Sequence, residues 1–442
     1  MKKNKLYARI WRWHFYAGLL VIPFMLILAV TGSIYLFKPQ LDPLVYPQLL
    51  KVAPATNTLA DSEIVQKAKA AYPSATVESY FAPATTESSA AIGMSDLGQK
   101  FNVYVNPHDG QVLGMRDEAS YYQNVVKKIH GELLAGTIGD RLVETVACWG
   151  LILICSGLYL WWPRGQKFWG VWLPRWNGGS RIFWRDLHAC LGLYTAILIS
   201  FLIITGLPWT GFWGERYAKV WNSFPPHAFA STPESKMLTA ELNKGQEQMV
   251  PWAAETAPMP TSAHVHEKSV KSASANQISI DRVTEIARKE NLPGGYKIAY
   301  PQDEMGVFTL SSFPGDPRLE RTIHIDQYSG TVVEEVSYAD YNLFAKTVEY
   351  GISLHQGLVF GWLNQLLALI ACLALIGLCV SGTVMWWRRR PKGGLGAPRK
   401  VEGRSPLVIL AIMAIFAIAL PMVGLSLIAV LVADFAVTNI TT

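Results

Sequence analysis

The chain has 442 residues, of which half are apolar, 16 are tryptophan and only 16 % are charged. Soluble domains carry about 25 % charged residues, so this composition, with its positive mean hydropathy, indicates an integral membrane protein. The net charge of +6 comes from basic clusters beside apolar runs. Such clusters are typical of membrane topology signals, and we expect no nucleic-acid partner. The five cysteines lie inside apolar runs without a CxxC pair, which argues against a disulfide framework or a cysteine zinc site.

The first apolar run covers residues 13–37 and follows a strongly basic N-terminal segment. It is about 25 residues long, whereas the apolar core of a signal peptide has about 7–15. We therefore expect an uncleaved first span within 1–37, with the N-terminus in the cytoplasm.

Four later apolar runs predict four more spans, which makes five in all. The second lies within 126–163, the third covers 186–209, the fourth lies within 346–388 and the fifth covers 405–435. Basic residues are concentrated in the connections 164–185 and 389–404, which predicts that both are cytoplasmic. The long connections 38–125 and 210–345 then face the other side of the membrane.

Each long outer segment contains the pattern of a small α/β module. The first has an amphipathic helix over 61–72, a strand over 101–105, a turn and a strand over 111–114. The second has a helix over 280–290 and strands over 322–326 and 331–333, in register with the first at an offset of 220. Residues 232–275 are rich in Pro, Ser, Thr and Ala, which predicts a flexible insertion in the second module.

The membrane segments repeat as well. Residues 130–164 align with 355–389 at an offset of 225, so that His130 matches His355, and both copies end in Ser-Gly and Trp-Trp motifs. At an offset of 174, His14 matches His188, and each is followed 17 residues later by Thr-Gly. The fold class is therefore a mainly α, five-span helical bundle built by tandem duplication, with two small α/β modules outside.

The repeated histidines form two pairs by depth. We call His14 and His188 the inner pair, because both lie near the cytoplasmic ends of their spans. His130 and His355 lie 31 residues before the Trp-Trp motifs, about 46 Å along a straight helix and more than the 30 Å of a hydrocarbon core. We expect the chain to break at Gly136, Gly139 or Gly361, which would leave these two histidines as an outer pair.

Two histidines facing each other across a helical bundle are the ligand set of a six-coordinate haem. Two such haems would be b-type, because no C-x-x-C-H attachment site is present. Zinc fits less well, since no further Cys, Asp or Glu ligand repeats with either pair. Six basic residues are candidates for contacts with haem propionates, although they also suit a role as topology signals: Arg9, Arg12, Arg185, Lys127, Lys128 and Arg141.

The motifs resemble a known family. The helix followed by a strand ending in x-V-x-[ND]-x-x-x-G-x-V is similar to a PepSY module. The order Arg12-x-His14, H-x-x-L-x-x-G (from His130 and from His355) and S-G-x-x-x-W-W-x-R (from Ser156 and from Ser381) resembles the PepSY-associated transmembrane family. This resemblance implies a bacterial inner-membrane protein similar to haem-containing reductases of ferric siderophores, some relatives of which are fused to flavin reductase modules.

Three functions remain open at this point. The first is an oxidoreductase that carries electrons from a cytoplasmic flavin reductase or a quinol to a ferric siderophore or another periplasmic oxidant. The second is a transport accessory protein, and the third is a regulatory or binding protein without redox activity. Acidic residues within the spans, which a transporter would need for proton or ion handling, are almost absent.

Overall fold

The computed structural model describes residues 5–163, 168–216, 234–243, 250–255, 257–262, 277–391, 396, 398 and 407–428. The helices are α1 (Lys5–Leu36), α2 (Lys38–Val45), α3 (Pro47–Leu50), α4 (Asp61–Ala71), α5 (Tyr122–Glu132), α6 (Gly136–Trp161), α7 (Ser180–Gly206), α8 (Ile280–Lys289), α9 (Leu343–His355), α10 (Trp362–Arg389) and α11 (Leu407–Ala419). The strands are β1 (Thr76–Phe81), β2 (Ala90–Asp96), β3 (Gln99–Val105), β4 (Val112–Asp117), β5 (Glu234–Leu238), β6 (Pro258–Pro260), β7 (Lys297–Ala299), β8 (Val307–Ser312), β9 (Arg321–Asp326) and β10 (Val332–Ser337).

Within these ranges, four helices are long and apolar enough to cross a bilayer: α1, α6, α7 with the turn that follows it, and α10. They form a ring, in which α1 and α7 each pack against both α6 and α10. Helices α6 and α7 begin at Gly136 and Ser180, earlier than the apolar runs that start near 142 and at 186. The reason is that hydropathy marks only the apolar part of a helix, and here the helices continue into polar residues.

The fifth predicted span, 405–435, lies partly outside the described residues. Helix α11 has 13 residues, fewer than the roughly 20 that cross a hydrocarbon core. A second helical stretch over 421–428 follows it. Leu420 and Val423, near this junction, are buried against Cys148 of α6 and Leu207, so the segment packs on the outside of the ring.

The two predicted modules form one continuous antiparallel sheet. Its strand order is β10-β9-β8-β7-β1-β2-β3-β4, and the modules join through β1 and β7, where Ser79 faces Ala299 and Phe81 faces Lys297. Each module has two strands more than its sequence pattern predicts. Strand β2 is rich in alanine and glycine and does not alternate, so it lacks the usual strand signal. The edge pairing covers backbone groups that would otherwise be exposed on both modules.

The two faces of the sheet are covered by different parts of the chain. Helices α4 and α8 cover one face around Ile64, Val283 and Ile298. On the other face, α3 packs against β2 and β3, and residues from 234–262 pack against β7 and β8.

The predicted flexible insertion, 232–275, is in part a packed element. Strand β5 pairs with β6, and Val250 and Met259 are buried against the sheet. Widely spaced apolar side chains therefore anchor a segment whose overall composition resembles a linker. Residues 232–233, 244–249, 256 and 263–275 lie outside the described ranges, as do His227, His264 and His266.

The chain breaks on the sheet side of α6 and α10. Helix α5 ends at Glu132, and Leu133, Leu134 and Gly136 then have φ values of 49°, 58° and 56° before α6 continues. Helix α9 ends at His355, and the positive φ of Gly361 precedes α10. Both turns separate a short helix carrying a histidine from the span that follows it.

Candidate functional site

Four hydroxyl–glycine seats hold the four repeated histidines. We use the term seat for Thr31-Gly32, Ser156-Gly157, Thr205-Gly206 and Ser381-Gly382. Each hydroxyl lies within hydrogen-bond distance of the Nδ1 atom of one histidine: His14 to Ser156 at 2.8 Å, His188 to Ser381 at 2.9 Å, His130 to Thr31 at 2.9 Å and His355 to Thr205 at 3.0 Å.

The direction of these hydrogen bonds follows from what each hydroxyl donates to. Thr31 donates its proton to the carbonyl of Ile27 at 2.7 Å, and Thr205 donates to Phe201 at 2.7 Å. The two seat serines likewise donate to backbone carbonyls one turn earlier in their helices. Because a hydroxyl has only one proton, its oxygen accepts the hydrogen bond from the imidazole Nδ1–H. A neutral imidazole that donates from Nδ1 in this way has its lone pair on Nε2, which is the form that can coordinate a metal.

The glycine of each seat makes room for the imidazole. A Cβ atom added to Gly32, Gly157 or Gly206 would lie 3.3 Å from the Cε1 atom of His130, His14 or His355, respectively. At Gly382 the corresponding distance to His188 is 3.7 Å. The Ser/Thr-Gly dipeptides that repeat in the sequence are thus the places where a span receives a histidine from another helix.

The seats connect the helices in a two-fold pattern. Helix α1 carries His14 and also the seat of His130, and α7 carries His188 and also the seat of His355. The Ser-Gly seats lie on α6 and α10. On α1, His14 and Thr31, the seat of His130, are therefore 17 residues apart, about 26 Å of helix.

The structure brings the histidines of each predicted pair together. His14 lies near His188, and His130 lies near His355. All four rings are half-buried, and the indole of Trp209 packs edge-on against His355, with ring centroids 5.6 Å apart. In the sequence, the Thr-Gly motifs indicated only the depth of the histidines, and neither the seats nor Trp209 were predicted. Repetition of a hydroxyl residue before each glycine was the available signal.

Most of the predicted basic residues on the inner side already have partners. Arg12 donates to the carbonyl of Pro398 and lies over the ring of Tyr16. Arg185 pairs with the buried Asp186 at 2.7 Å. Arg9 is buried in α1.

On the sheet side, Arg141 pairs with Asp140 at 2.8 Å, while Lys127 and Lys128 are exposed on α5. These two lysines lie within one turn of His130 on the same helix. Of the predicted propionate contacts on this side, Lys127 and Lys128 are therefore exposed beside His130.

The described residues contain no group of three or more His, Cys, Asp or Glu side chains arranged to hold a bare metal ion. The other histidines in these ranges have structural partners. His108 bonds to the carbonyls of Asn57 and Thr86 in a surface turn, and the buried His324 bonds to Thr309 at 3.0 Å. Two imidazoles are too few ligands for a bare metal ion. They are enough for haem iron, because the porphyrin supplies four of its six ligands.

No curated protein matches the chain at a significant level. The family model described as the PepSY-associated TM region matches residues 11–389, a range that includes all four histidines, all four seats and the eight-stranded sheet. This match confirms the resemblance seen in the motifs, and the chain belongs to the PepSY-associated transmembrane family.

Proposed function

We propose that the protein is a transmembrane electron carrier that binds two b-type haems, one at the inner pair (His14, His188) and one at the outer pair (His130, His355). The observation that carries this proposal is the equivalence of the four imidazoles. Each is fixed by a hydroxyl on Nδ1 and presents Nε2 as a lone-pair donor. Four identical arrangements on duplicated helices are a costly feature to maintain near a membrane unless they serve a cofactor.

The residues present fit a haem at each position. Each pair offers two nitrogen donors across the bundle, and no third protein ligand is needed. Bound haem iron would cycle between Fe(III) and Fe(II) and so carry one electron at a time. The protein's own residues orient the ligands through the seats, exclude water with the surrounding apolar helices and, through Lys127 and Lys128, place positive charge at the outer site.

The direction of electron flow follows from charge. The basic connections support an orientation in which the end with His14 and His188 faces the cytoplasm of a bacterial inner membrane. The proposal keeps the fifth span after α10. The donor is then a flavin reductase or a quinol, and the acceptor lies on the periplasmic side, where the sheet stands. A ferric siderophore is a suitable acceptor because reduction to Fe(II) weakens binding by hard oxygen ligands and releases the metal.

A reduced-minus-oxidised spectrum of the purified protein tests the cofactor. We expect the bands of six-coordinate b-type haem, and a pyridine-haem assay should give two haems per chain. A colourless protein after expression with adequate haem supply would favour the alternative, a PepSY-bearing regulatory or transport accessory protein without redox activity.

Single replacements of the histidines test the pairing. His14→Ala and His188→Ala should remove the same spectral component, and His130→Ala and His355→Ala should remove the other. His108→Ala is the matched control, because that ring bonds only to loop carbonyls. If His14→Ala and His130→Ala removed the same component, the pairing would be wrong.

Anaerobic mixing tests the acceptor. The pre-reduced protein is mixed with ferric chelates in the presence of an Fe(II) trap, and the haem bands should reoxidise as trapped Fe(II) appears. Reoxidation by another oxidant but by no ferric chelate would retain the electron carrier and reject the iron substrate.

A further inference from the structure

A buried polar cluster lies where the sheet meets α9. Ser311 of β8 and Thr322 of β9 are cross-strand neighbours, and Glu320 precedes Thr322 by two residues, so all three point to the same face of the sheet. Their exposed fractions are 0 %, 2 % and 7 %. Within the described part of the chain, the Ser311 and Thr322 hydroxyls and one carboxyl oxygen of Glu320 make no hydrogen bond.

A second carboxyl faces this cluster from α9. Glu349 is 2 % exposed and accepts a hydrogen bond from the backbone N–H of Ala253. The turn 317–319, which precedes Glu320, packs against α9, and the charge of Glu349 acts on Glu320 across this contact. Two buried carboxylates side by side are unfavourable, and proteins resolve this by keeping at least one of them protonated.

Among the described residues, no cation forms an ion pair with Glu320 or Glu349. On the turn 317–319, Arg318 is bound to Asp316 through three side-chain nitrogen–oxygen contacts and lies over Tyr350. On the turn 252–254, the flanking Glu255 bonds to Asn243 and adds negative charge near Glu349.

Two lysines lie nearby, but each interacts with a group other than Glu320 and Glu349. The charge of Lys127 on α5 favours the ionised form of Glu255, and Lys346 of α9 donates a hydrogen bond to the carbonyl of Ala339. On the turn 338–340, Asp340 bonds to Ser337, and the neighbouring Tyr341 and Tyr338 are neutral phenols. On α7, Thr205 lies against Gly351 of α9, and this side chain is uncharged.

The acid–base properties agree with this geometry. Burial, with further repulsion from Glu255, raises the pKa of Glu349 to about 7. Burial and the charges of Glu349 and Asp316 hold the pKa of Glu320 well above its usual value. Buried hydroxyls without a protein partner are places where internal water binds.

We propose that Glu320 and Glu349 form a buried proton-binding site, hydrated by water on Ser311 and Thr322, that takes up one proton for each electron arriving at the outer histidine pair. The proton-binding half of this inference stands on the cluster alone, and the coupling half rests on the proposed function. With haem bound at the outer pair, its reduction by the donor would be accompanied by transfer of one proton from water on the sheet side to one of the two carboxylates. Its reoxidation by the acceptor would be accompanied by return of that proton to the same water.

The coupling is electrostatic and follows from the position of Glu349. Glu349 and His355 are both on α9, six residues apart, which is about 9 Å along the helix axis. At an effective dielectric constant of about 20, a charge about 10 Å away changes the proton affinity of a carboxyl group on the order of tenfold. Added negative charge at the outer site therefore favours protonation of the pair.

The first test needs no bound haem. Infrared spectra at pH 6 should show the carbonyl band of buried carboxylic acids, which Glu349→Gln should weaken and the double variant Glu320→Gln, Glu349→Gln should weaken further. Glu304→Gln, at an exposed glutamate outside the cluster, is the matched control. Absence of the band from the wild-type protein between pH 5 and 7 would overturn the site, whatever the haem content.

Thermal unfolding gives a second readout on the same variants. Because the folded-state pKa of Glu349 lies above that of an unfolded glutamate, the folded state binds the extra proton between about pH 4.5 and 7. Wild-type stability should therefore fall as pH rises through this window. The slope should be smaller in Glu349→Gln and in Glu320→Gln, and unchanged in Glu304→Gln.

Redox titration of the haem-loaded protein tests the coupling. The midpoint potential of the outer haem should fall with rising pH between 5.5 and 8, and Glu349→Gln should lose more than half of that dependence while the inner haem stays unchanged. A pH-independent outer haem together with an intact infrared band would overturn the coupling and leave both the haem and the proton site in place. A protein without haem would overturn the proposed function and the coupling with it, and the infrared band would still decide the proton site.

Discussion

At the scale of single residues, the seats set both the orientation and the tautomer of the histidines. A hydroxyl that already donates to its own helix can only accept from Nδ1–H, so the ligand atom Nε2 stays unprotonated without any carboxylate nearby. A carboxylate in this position would also fix the tautomer, but it would bring a buried charge into the bundle at considerable cost.

Removal of a seat hydroxyl should weaken cofactor binding at one site only. In Thr31→Val, His130 loses its Nδ1 acceptor, and we expect haem affinity at the outer pair to fall about 10–100-fold, the usual cost of losing a partner of a ligating histidine. Haem titration of the apoprotein measures this. Thr31→Ser should restore binding, whereas Thr145→Val should have no effect, because Thr145 bonds only to the carbonyl of Arg141 in its own helix. Equal loss in Thr145→Val would point to general destabilisation.

The seat glycines allow a graded test. Gly32→Ala and Gly206→Ala place a methyl group 3.3 Å from an imidazole carbon, whereas Gly382→Ala leaves 3.7 Å, an ordinary van der Waals contact. We expect the first two to displace their histidines and shift the outer haem spectrum, and Gly382→Ala to be the mildest change. Gly18→Ala, whose nearest neighbour is a leucine methyl at 3.9 Å, is the control. A spectrum altered most by Gly382→Ala would contradict the steric explanation.

At the scale of elements, α5 is held in place by a buried aspartate after the first span. Asp42 of α2 accepts hydrogen bonds from the hydroxyls of Tyr121 and Tyr122, at the start of α5. Lys38 adds an ion pair at 3.4 Å. Since His130 lies near the other end of α5, this contact helps to fix the angle at which the histidine reaches α1.

Replacement of this aspartate should loosen α5. Asp42→Ala leaves two phenol hydroxyls without their acceptor, and we expect a loss of about 2–4 kcal/mol in the free energy of unfolding. Faster hydrogen exchange in α5 should accompany it. Tyr122→Phe, which keeps the Tyr121 contact, should cost less. Unchanged exchange in α5 would show that the connection to α6, rather than Asp42, holds the helix.

At the scale of the whole molecule, the outer domain is a single body built from two modules. Besides the strand pairing between β1 and β7, the covering helices exchange contacts across the join. Asp61 of α4 binds Arg288 of α8 at 3.3 Å, and Asp281 of α8 accepts from the backbone of Ser62 at 2.9 Å. The strand pairing and these contacts hold the two modules together as one body.

The join predicts cooperative unfolding of both modules. Asp61 is buried and also accepts from the hydroxyl of Tyr80, so Asp61→Ala should cost about 1–3 kcal/mol through the orphaned phenol. Hydrogen exchange should rise in β8 and β9 of the second module as well as in β1–β4. Glu285→Ala removes an exposed acid of α8 that pairs only within that helix and should change little. Faster exchange confined to the first module would show that the modules are independent.

The sequence by itself determined the class of protein and the spans α1, α6, α7 and α10. It also showed which four histidines repeat with the duplicated membrane segments. Long apolar runs, basic connections and fixed offsets between repeats are written along the chain and need no knowledge of packing. The strands β3 and β9 with their glycine turns were also predictable, because alternation and turn residues are local signals.

The tertiary structure alone decided which side chains meet. The partners in the four seats are 99, 142, 150 and 193 residues apart, and Glu320 and Glu349 belong to different elements. Packing, rather than local pattern, also fused the modules through β1 and β7 and laid part of the 232–275 insertion on the sheet. These contacts depend on burying apolar surface and on satisfying hydrogen bonds between distant segments, and no local pattern in the chain records which segments will meet.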